Sequence, residues 1–327
     1  MRTLMIFLSF LLVIGPVALK GTSSMAAEYN LIFGGSEPQG TLMEKSNSLF
    51  VKLVNEKSRG RINIKYYPQL SDDVSEVQGT IAGTQHFYGD VQDWLANLEK
   101  DFNILAWAFT FRDKNHFAKF FASPEYQRIT NGFEKKFNVK ILGVCPTEPR
   151  IFYSKKPVFS LDDIKGKKMR VPEIEMYLKV WETLGAYPTR VTWSEVYMAL
   201  RQGVIDCCEG PVCCSYGQKF HEAAPYVLVT NHLISTYFLL ANGKAYENLP
   251  VDLRKVVDDA AHDSIEWCNS QSDKMERDTY DKILVEGAKL ITIDMTSWRE
   301  RIKAASTKME QDGYWSKGLY DKIQQIK

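Results

Sequence analysis

The chain has 327 residues, of which 45% are hydrophobic, 25% charged and 12% aromatic. This composition is typical of a folded globular protein and excludes disordered, collagen-like and small disulfide-rich proteins. The formal net charge is +1, from 41 basic and 40 acidic residues, so no excess of charge favours a nucleic acid or an anionic membrane as a partner. The length predicts two domains with a ligand cleft between them.

Residues 1–26 have the pattern of a secretory signal peptide. Arg2 precedes an apolar run from Leu4 to Leu19, and small residues follow that run. We expect cleavage between Ala26 and Ala27, which would release a periplasmic chain that is not embedded in the membrane. A retained membrane anchor is the alternative, but the run is shorter than the roughly 20 residues that a spanning helix needs.

The elements that follow alternate between strand and helix. Residues 30–33 predict a buried strand that ends at Gly34-Gly35, and apolar residues then recur at helical spacing over 42–54. A half-buried strand over 62–67, a helix over 73–82 and a strand over 139–144 come next. This order of elements predicts an α/β fold.

The middle of the chain repeats this order. We predict a strand over 168–171, a helix over 174–184 and a short strand over 188–191. Thr192 and Glu195 have the spacing of a capping box for a further helix.

The element after this helix is predicted to be a strand. Gly203 would end the helix before a strand over 204–206. We therefore expect the ends of several strands to converge on residues 206–211.

A long helix is predicted near the C-terminus. Leu249-Pro250 opens it, and helical spacing persists to about Gly287. A helix of roughly 35–40 residues is more than about 50 Å long, so we expect it to brace two domains. A strand over 290–293 and a helix over 296–311 complete the predicted elements.

The sequence carries no recognised catalytic or cofactor motif. The spacings of a nucleophile elbow, a dinucleotide-binding loop, a phosphate-binding loop and a zinc-protease helix are all missing, and the five histidines are scattered. We therefore predict no enzyme activity, no cofactor and no metal site.

One cysteine cluster leaves three interpretations open. Cys207, Cys208, Cys213 and Cys214 lie close together in sequence, far from the other two cysteines. They could form disulfides in an oxidising compartment, bind zinc, or pack as buried free thiols. The sequence leaves the redox state undecided.

Four segments together carry a family resemblance. They read Met-Arg-Val-Pro-Glu at 169–173, Leu-Gly-Ala-x-Pro-Thr at 184–189, Trp-Ser-Glu-Val-Tyr-Met-Ala-Leu at 193–200, and Gln-Gly-Val-Ile-Asp-x-x-Glu at 202–209. With them the chain resembles the periplasmic solute-binding receptors of tripartite ATP-independent (TRAP) transporters, of the DctP type, over nearly the whole mature length.

The resemblance implies a two-lobed α/β fold of the periplasmic-binding-protein kind. Each lobe would hold a mixed sheet, crossing strands would form the hinge, and a long helix would span both lobes. We expect residues 27–147 and 236–275 in lobe I, and residues 148–235 and 276–327 in lobe II.

The resemblance also implies a carboxylate site in the cleft. Arg170 matches the arginine that pairs with the ligand carboxylate, a role that suits a planar, permanently charged guanidinium. Arg150 matches a second cleft arginine, and Trp193 matches an aromatic position that lines the cleft. Lobe I would add further polar and aromatic contacts, from Asp73, Asp90, Gln92, Trp94, Ser36 and Tyr237.

The chain departs from the family pattern at Gly210. The family has Asn-Pro after the glutamate, whereas this chain has Gly210-Pro211. Because glycine offers only backbone and space, we hypothesise a monocarboxylate with an aromatic or apolar body, stacked on Trp94, Trp193 and Tyr237.

These expectations describe a receptor that captures an organic acid and delivers it to membrane permease subunits. Two alternatives stay open at this point. One is a periplasmic enzyme that acts on a small acid through a cysteine in the cleft, and the other is a sensor receptor coupled to a signalling partner.

Overall fold

The computed structural model describes residues 27–327, so the predicted signal peptide lies outside the described residues. Nine strands form one mixed sheet. Their bounds are β1 Tyr29–Gly34, β2 Ile62–Tyr67, β3 Phe87–Asp90, β4 Val139–Ser154, β5 Lys168–Val171, β6 Tyr187–Arg190, β7 Cys207–Pro211, β8 Tyr226–Asn242 and β9 Lys289–Ile291.

Twelve α-helices accompany these strands in the described residues, together with four short 3-10 helices. Their bounds are α1 Leu42–Lys57, α2 Asp73–Ala82, α3 Lys114–Phe121, α4 Pro124–Phe137, α5 Glu175–Leu184, α6 Val196–Gln202, α7 Val212–Gly217, α8 Phe220–Ala223, α9 Gly243–Glu247, α10 Val251–Val285, α11 Thr296–Gln311 and α12 Leu319–Gln324.

Two long antiparallel strands connect the halves of the molecule. The sheet order is β2-β1-β3-β8-β4-β7-β5-β6, with β9 beside β8. Strands β4 and β8 have 16 and 17 residues, so each is about 50 Å long. Their register shifts between Pro146 and Pro149, where proline lacks the amide that a regular ladder needs. These are the crossing strands that the resemblance implied, and they join the sheets of both lobes into one.

The long helix is also confirmed. Helix α10 has 35 residues and contacts α1, α7, β4 and β8 along its length. No helix within residues 27–327 is long and apolar enough to span a bilayer.

The structure corrects two local predictions around α6. Thr192 makes no side-chain cap; its carbonyl accepts the Glu195 amide at 2.9 Å, and residues 193–195 form a 3-10 turn. The strand predicted over 204–206 starts at Cys207 instead, because the amides of Val204 and Ile205 still bond to the Ala199 carbonyl at the helix end.

The C-terminal segment packs against residues 101–116. Ser306 accepts a hydrogen bond from the Trp107 indole at 2.9 Å, and the Ser316 amide donates to Asp101 Oδ1 at 2.6 Å. This segment was assigned to lobe II and its partners to lobe I, so the division of the chain into lobes stays a prediction.

We predict that Gly143→Ala destabilises the fold. A Cβ atom at Gly143 on β4 would lie 2.9 Å from Ile265 Cγ1 on α10, and such overpacking typically costs about 1–3 kcal/mol. Gly132→Ala is the control, because this exposed position in α4 has open space around it and alanine favours a helix by up to about 1 kcal/mol. Urea denaturation measures both, and equal stability of the two variants would contradict the close approach of α10 to β4.

Candidate functional site

A cavity lies where the ends of several strands meet. About 400 Å³ of space lies between its lining atoms when the open mouth is included, and only about 40 Å³ of this space can hold the centre of a water molecule. A second cavity adjoins it and shares Asp73, Trp94, Arg170 and Trp193. The first cavity is lined by Glu37, Asp73, Asp90, Val91, Trp94, Arg150, Arg170, Pro172, Ile174, Tyr177, Trp193 and Pro211.

Arg170 is a buried cation without an ion-pair partner. It lies on β5 with 2% of its surface exposed, and its Nε donates to the Val191 carbonyl at 2.9 Å. Its guanidinium carbon lies 5.3 Å from the centre of the Trp193 ring. No carboxylate of residues 27–327 lies within 4.0 Å of it, and burial lowers its pKa to about 10. The charge therefore remains at neutral pH with its Nη atoms free.

Arg150, in contrast, forms a two-contact ion pair with Glu209. The two residues lie on neighbouring strands β4 and β7, and the guanidinium donates from Nε to Oε2 at 2.5 Å and from Nη2 to Oε1 at 2.8 Å. Burial acts to raise the pKa of Glu209, but the Arg150 charge outweighs it and lowers that pKa to about 2. His232 Nε2 lies 3.4 Å from Oε2 on the same carboxylate. Only Nη1 of Arg150 has no hydrogen bond within the described residues.

Two aspartates share one serine on the other wall. Ser36 Oγ lies within hydrogen-bond distance of Asp73 Oδ1 and 2.6 Å from Asp90 Oδ2. A hydroxyl has a single proton, so one carboxyl group must itself be protonated and donate to Oγ. Burial, followed by the Asp73 charge, raises the pKa of Asp90 well above its usual value. We assign the proton to Asp90.

Glu37 is a third carboxyl group on this wall, and the sequence analysis missed it. It is 7% exposed, and its Oε2 has no hydrogen-bond partner among the described residues. Burial raises its pKa to about 7, although hydrogen bonds from Cys214 and Thr41 oppose this shift. Its position directly after β1, next to Ser36, was the available signal, because ligands commonly bind beyond the carboxyl ends of strands.

Trp94 and Trp193 line the cavity, as the sequence predicted. Gly210 does not line it, but it leaves the space that the Trp193 ring occupies. A Cβ atom at Gly210 would lie 2.8 Å from Trp193 Cη2 and 2.5 Å from Ser215 Oγ. The missing side chain therefore allows the indole to approach β7, and through this contact Gly210 sets the position of the ring under Arg170.

Two of the predicted site residues point away from the cavity. Gln92 Nε2 donates to the Tyr126 hydroxyl at 2.5 Å, and the Tyr237 hydroxyl donates to Asn47 Oδ1 at 2.6 Å. Both side chains are fully buried in these contacts. Neither residue lines the cavity: Gln92 begins a 3-10 helix that directs its side chain to Tyr126, and Tyr237 lies on β8 with its side chain directed to Asn47.

The two sides of the cleft are also linked by hydrogen bonds. The Tyr177 hydroxyl, on α5, donates to Asp93 Oδ2 at 2.6 Å. Asn97 Nδ2 donates to the Glu173 carbonyl at 2.9 Å. Sequence reasoning missed Tyr177, which also lies with its ring 5.1 Å from the Arg150 guanidinium.

The clustered cysteines are buried free thiols in the structure. All six cysteines are buried and unpaired within residues 27–327. Burial raises the pKa of Cys207, Cys208, Cys213 and Cys214 above the ordinary thiol value. A reactive thiolate is therefore not favoured at any of them.

Comparison with known proteins decides the family. The sequence model of the bacterial extracellular solute-binding proteins, family 7 (DctP), matches residues 33–312. The chain belongs to this family. It is thus a solute-binding protein of the DctP family and not an enzyme, as the sequence predicted.

Individual family 7 proteins show the extent of the likeness. A solute-binding protein of Sulfitobacter sp. strain NAS-14.1 is 31% identical over 52% of each chain. The C4-dicarboxylate-binding periplasmic protein DctP of Vibrio cholerae is 26% identical over 81% of each. A TRAP solute-binding protein of Chromohalobacter salexigens, solved with bound D-glucuronate, has a TM-score of 0.86 at 23% identity and covers 91% of this chain and 100% of its own. At this identity the structure establishes the two-lobed fold.

We predict that Glu209→Gln strongly destabilises this family 7 protein. The change would leave the buried Arg150 charge without its partner, which typically costs about 3–5 kcal/mol. Glu175→Gln is the control, since it removes the acid of an exposed pair with Arg190 and such pairs contribute at most about 1 kcal/mol. Thermal and urea unfolding measure the difference. Similar losses for both variants would show that Glu209 does not compensate Arg150.

Proposed function

We propose that the protein captures an organic carboxylate in this cleft and delivers it to the membrane permease subunits of a TRAP transporter. The observation that carries the proposal is the buried, unpaired guanidinium of Arg170. A buried charge without a counter-ion is unfavourable, and a ligand carboxylate would supply that counter-ion. The carboxylate ligands in the names of the related proteins, a C4-dicarboxylate and D-glucuronate, support this class.

The geometry of Arg170 suits this role. Its Nε is fixed by the Val191 carbonyl, and the Trp193 ring lies beside the guanidinium, so the plane of the fork is oriented before a ligand arrives. Preorganisation of this kind lowers the entropy cost of binding. Nη1 of Arg150 is available for a second contact with the ligand. This role is smaller than that of the second cleft arginine that the sequence analysis expected, because Glu209 occupies Nε and Nη2.

For the ligand body we propose an aromatic or apolar group attached to a single carboxylate. Aromatic rings and aliphatic side chains form most of the remaining wall, from Trp94, Tyr177, Val91, Ile174, Pro172 and Pro211. Rings stack favourably on aromatic side chains, and apolar surface removed from water contributes about 25 cal/mol per Å².

Ligand capture would be coupled to closure of the two lobes. The Tyr177 contact to Asp93 and the Asn97 contact to Glu173 bridge the cleft, so they form only when its two sides meet. Hinge closure of this kind is a common response to a ligand. We propose that the permease recognises the closed form, and that the mature protein acts in the periplasm.

Arg170→Met should abolish binding without weakening the ligand-free fold. Methionine keeps the volume of the side chain but removes the uncompensated charge, so the free energy of unfolding should stay equal or rise. The affinity for a carboxylate should fall by about 100-fold or more. Arg190→Met, on the neighbouring strand, should leave binding unchanged. Calorimetric titration and thermal unfolding separate these effects, and a variant that retains affinity would overturn the role of Arg170.

A panel of four carboxylic acids tests the proposed aromatic or apolar body of the ligand. Thermal unfolding is followed with succinate, D-glucuronate, phenylacetate and 4-ethylbenzoate, because a ligand at 100 times its dissociation constant adds about 2.7 kcal/mol to stability. We expect the two aromatic acids to give the larger shifts. Tight binding of succinate without binding of the aromatic acids would reject the aromatic body and keep the carboxylate receptor.

A further inference from the structure

The charges around the cavity do not balance for a simple anion. Arg150 and Glu209 neutralise each other across two short contacts, which leaves Arg170 as the one lining cation that forms no ion pair within residues 27–327. Three carboxyl groups, from Glu37, Asp73 and Asp90, line the same cavity. No lysine or histidine is among the lining residues in the described part of the chain. A ligand that carries only negative charge would satisfy Arg170 and leave the acidic wall unmatched.

The acidic wall contains an unused acceptor. Glu37 is more than nine-tenths buried, lines the cavity, and has no hydrogen-bond partner for Oε2 within residues 27–327. An unpaired buried acceptor costs about 1–3 kcal/mol, so this position favours a ligand that donates a hydrogen bond. The unpaired donors of Arg170 lie on the same cavity, so a single ligand could satisfy both.

We propose that the ligand is an aminocarboxylate, whose carboxylate pairs with Arg170 while its ammonium group binds the wall formed by Glu37, Asp73 and Asp90. This inference rests on the proposed receptor function and specifies its ligand class. An ammonium group has three N–H donors and one positive charge. The donors suit a wall of three carboxyl groups, and the charge suits Asp73, which lacks the proton that we assign to Asp90.

Two other occupants fit this wall less well. A ligand hydroxyl would donate one hydrogen bond but would bring no positive charge to face the carboxylate of Asp73. A metal ion needs ligands arranged around a common point, and no such group of three acidic, histidine or cysteine side chains occurs within residues 27–327. The ammonium group supplies charge and donors without that geometric demand.

Pairs of probes that differ only in the amine test the inference. L-Phenylalanine is compared with 3-phenylpropanoate, and 4-(aminomethyl)benzoate with 4-ethylbenzoate, by calorimetric titration of the wild-type protein. We expect at least one amino member to bind ten times or more tightly than its amine-free partner. If the amine-free members bind equally well or better, the ammonium site is rejected while the carboxylate receptor stands.

A variant locates the effect at the wall. Glu37→Gln should weaken the amino member by at least tenfold and should not weaken the amine-free member, whose binding also reports an intact fold. Glu76→Gln is the control, since Glu76 is a buried acid of the same region that does not line the cavity. An equal loss for both probe types would assign Glu37 a structural role and overturn its contact with the amine.

The outcomes that would contradict the proposed function differ from those that would contradict only the aminocarboxylate ligand. If none of the four probes binds, while Arg170→Met leaves the binding of succinate and D-glucuronate unchanged, the carboxylate role of Arg170 is lost as well. If only succinate or D-glucuronate binds and does so through Arg170, the receptor stands and the ammonium site is wrong.

Discussion

The electrostatics of the cleft depend on the ion pair between Arg150 and Glu209. Both partners are buried. Arg150 lies on β4 and Glu209 lies on β7, and these two strands pair with each other. The pair makes the β4–β7 contact electrically neutral, and it leaves only Nη1 of Arg150 for a contact with a ligand. Arg170 is consequently the one cation of the cavity lining without an ion pair in the described part of the chain. In the proposed receptor, the arginine that anchors the ligand is decided by which arginine lacks a protein partner, not by the number of arginines.

Strand β4 connects this pair to the register shift between the crossing strands. Arg150 follows the register shift between Pro146 and Pro149, where β4 leaves one half of the sheet for the other. Tyr177, whose ring lies beside the Arg150 guanidinium, bonds to Asp93 across the cleft. The ion pair, the register shift of β4 and the hydrogen bond across the cleft thus lie close to one another. Occupation of the cavity would therefore act directly on the groups that hold the two sides together.

The sequence predicted elements whose signals are local. Helix α2 starts at Asp73 and ends at Ala82 as expected, because Asp72 caps its first turn and Gly83 adopts the left-handed conformation at its end. Strand β8 was not predicted from the residues, since its second half is buried on both faces and shows no alternation. Arg170 could be identified from its motif, whereas the direction of Gln92 and Tyr237 depends on tertiary packing. Glu37 was missed because no spacing pattern marks an acceptor that lacks a partner.

Gly210 shows how one substitution can change the character of the site. A polar side chain at this position of β7 would occupy the space that the edge of the Trp193 indole now fills. Glycine at this position thus leaves an aromatic surface beneath Arg170. An indole face attracts a guanidinium, but it offers no hydrogen bond to a ligand hydroxyl. Polar selectivity in this cleft then falls to the opposite wall, where the carboxyl groups of Glu37, Asp73 and Asp90 lie.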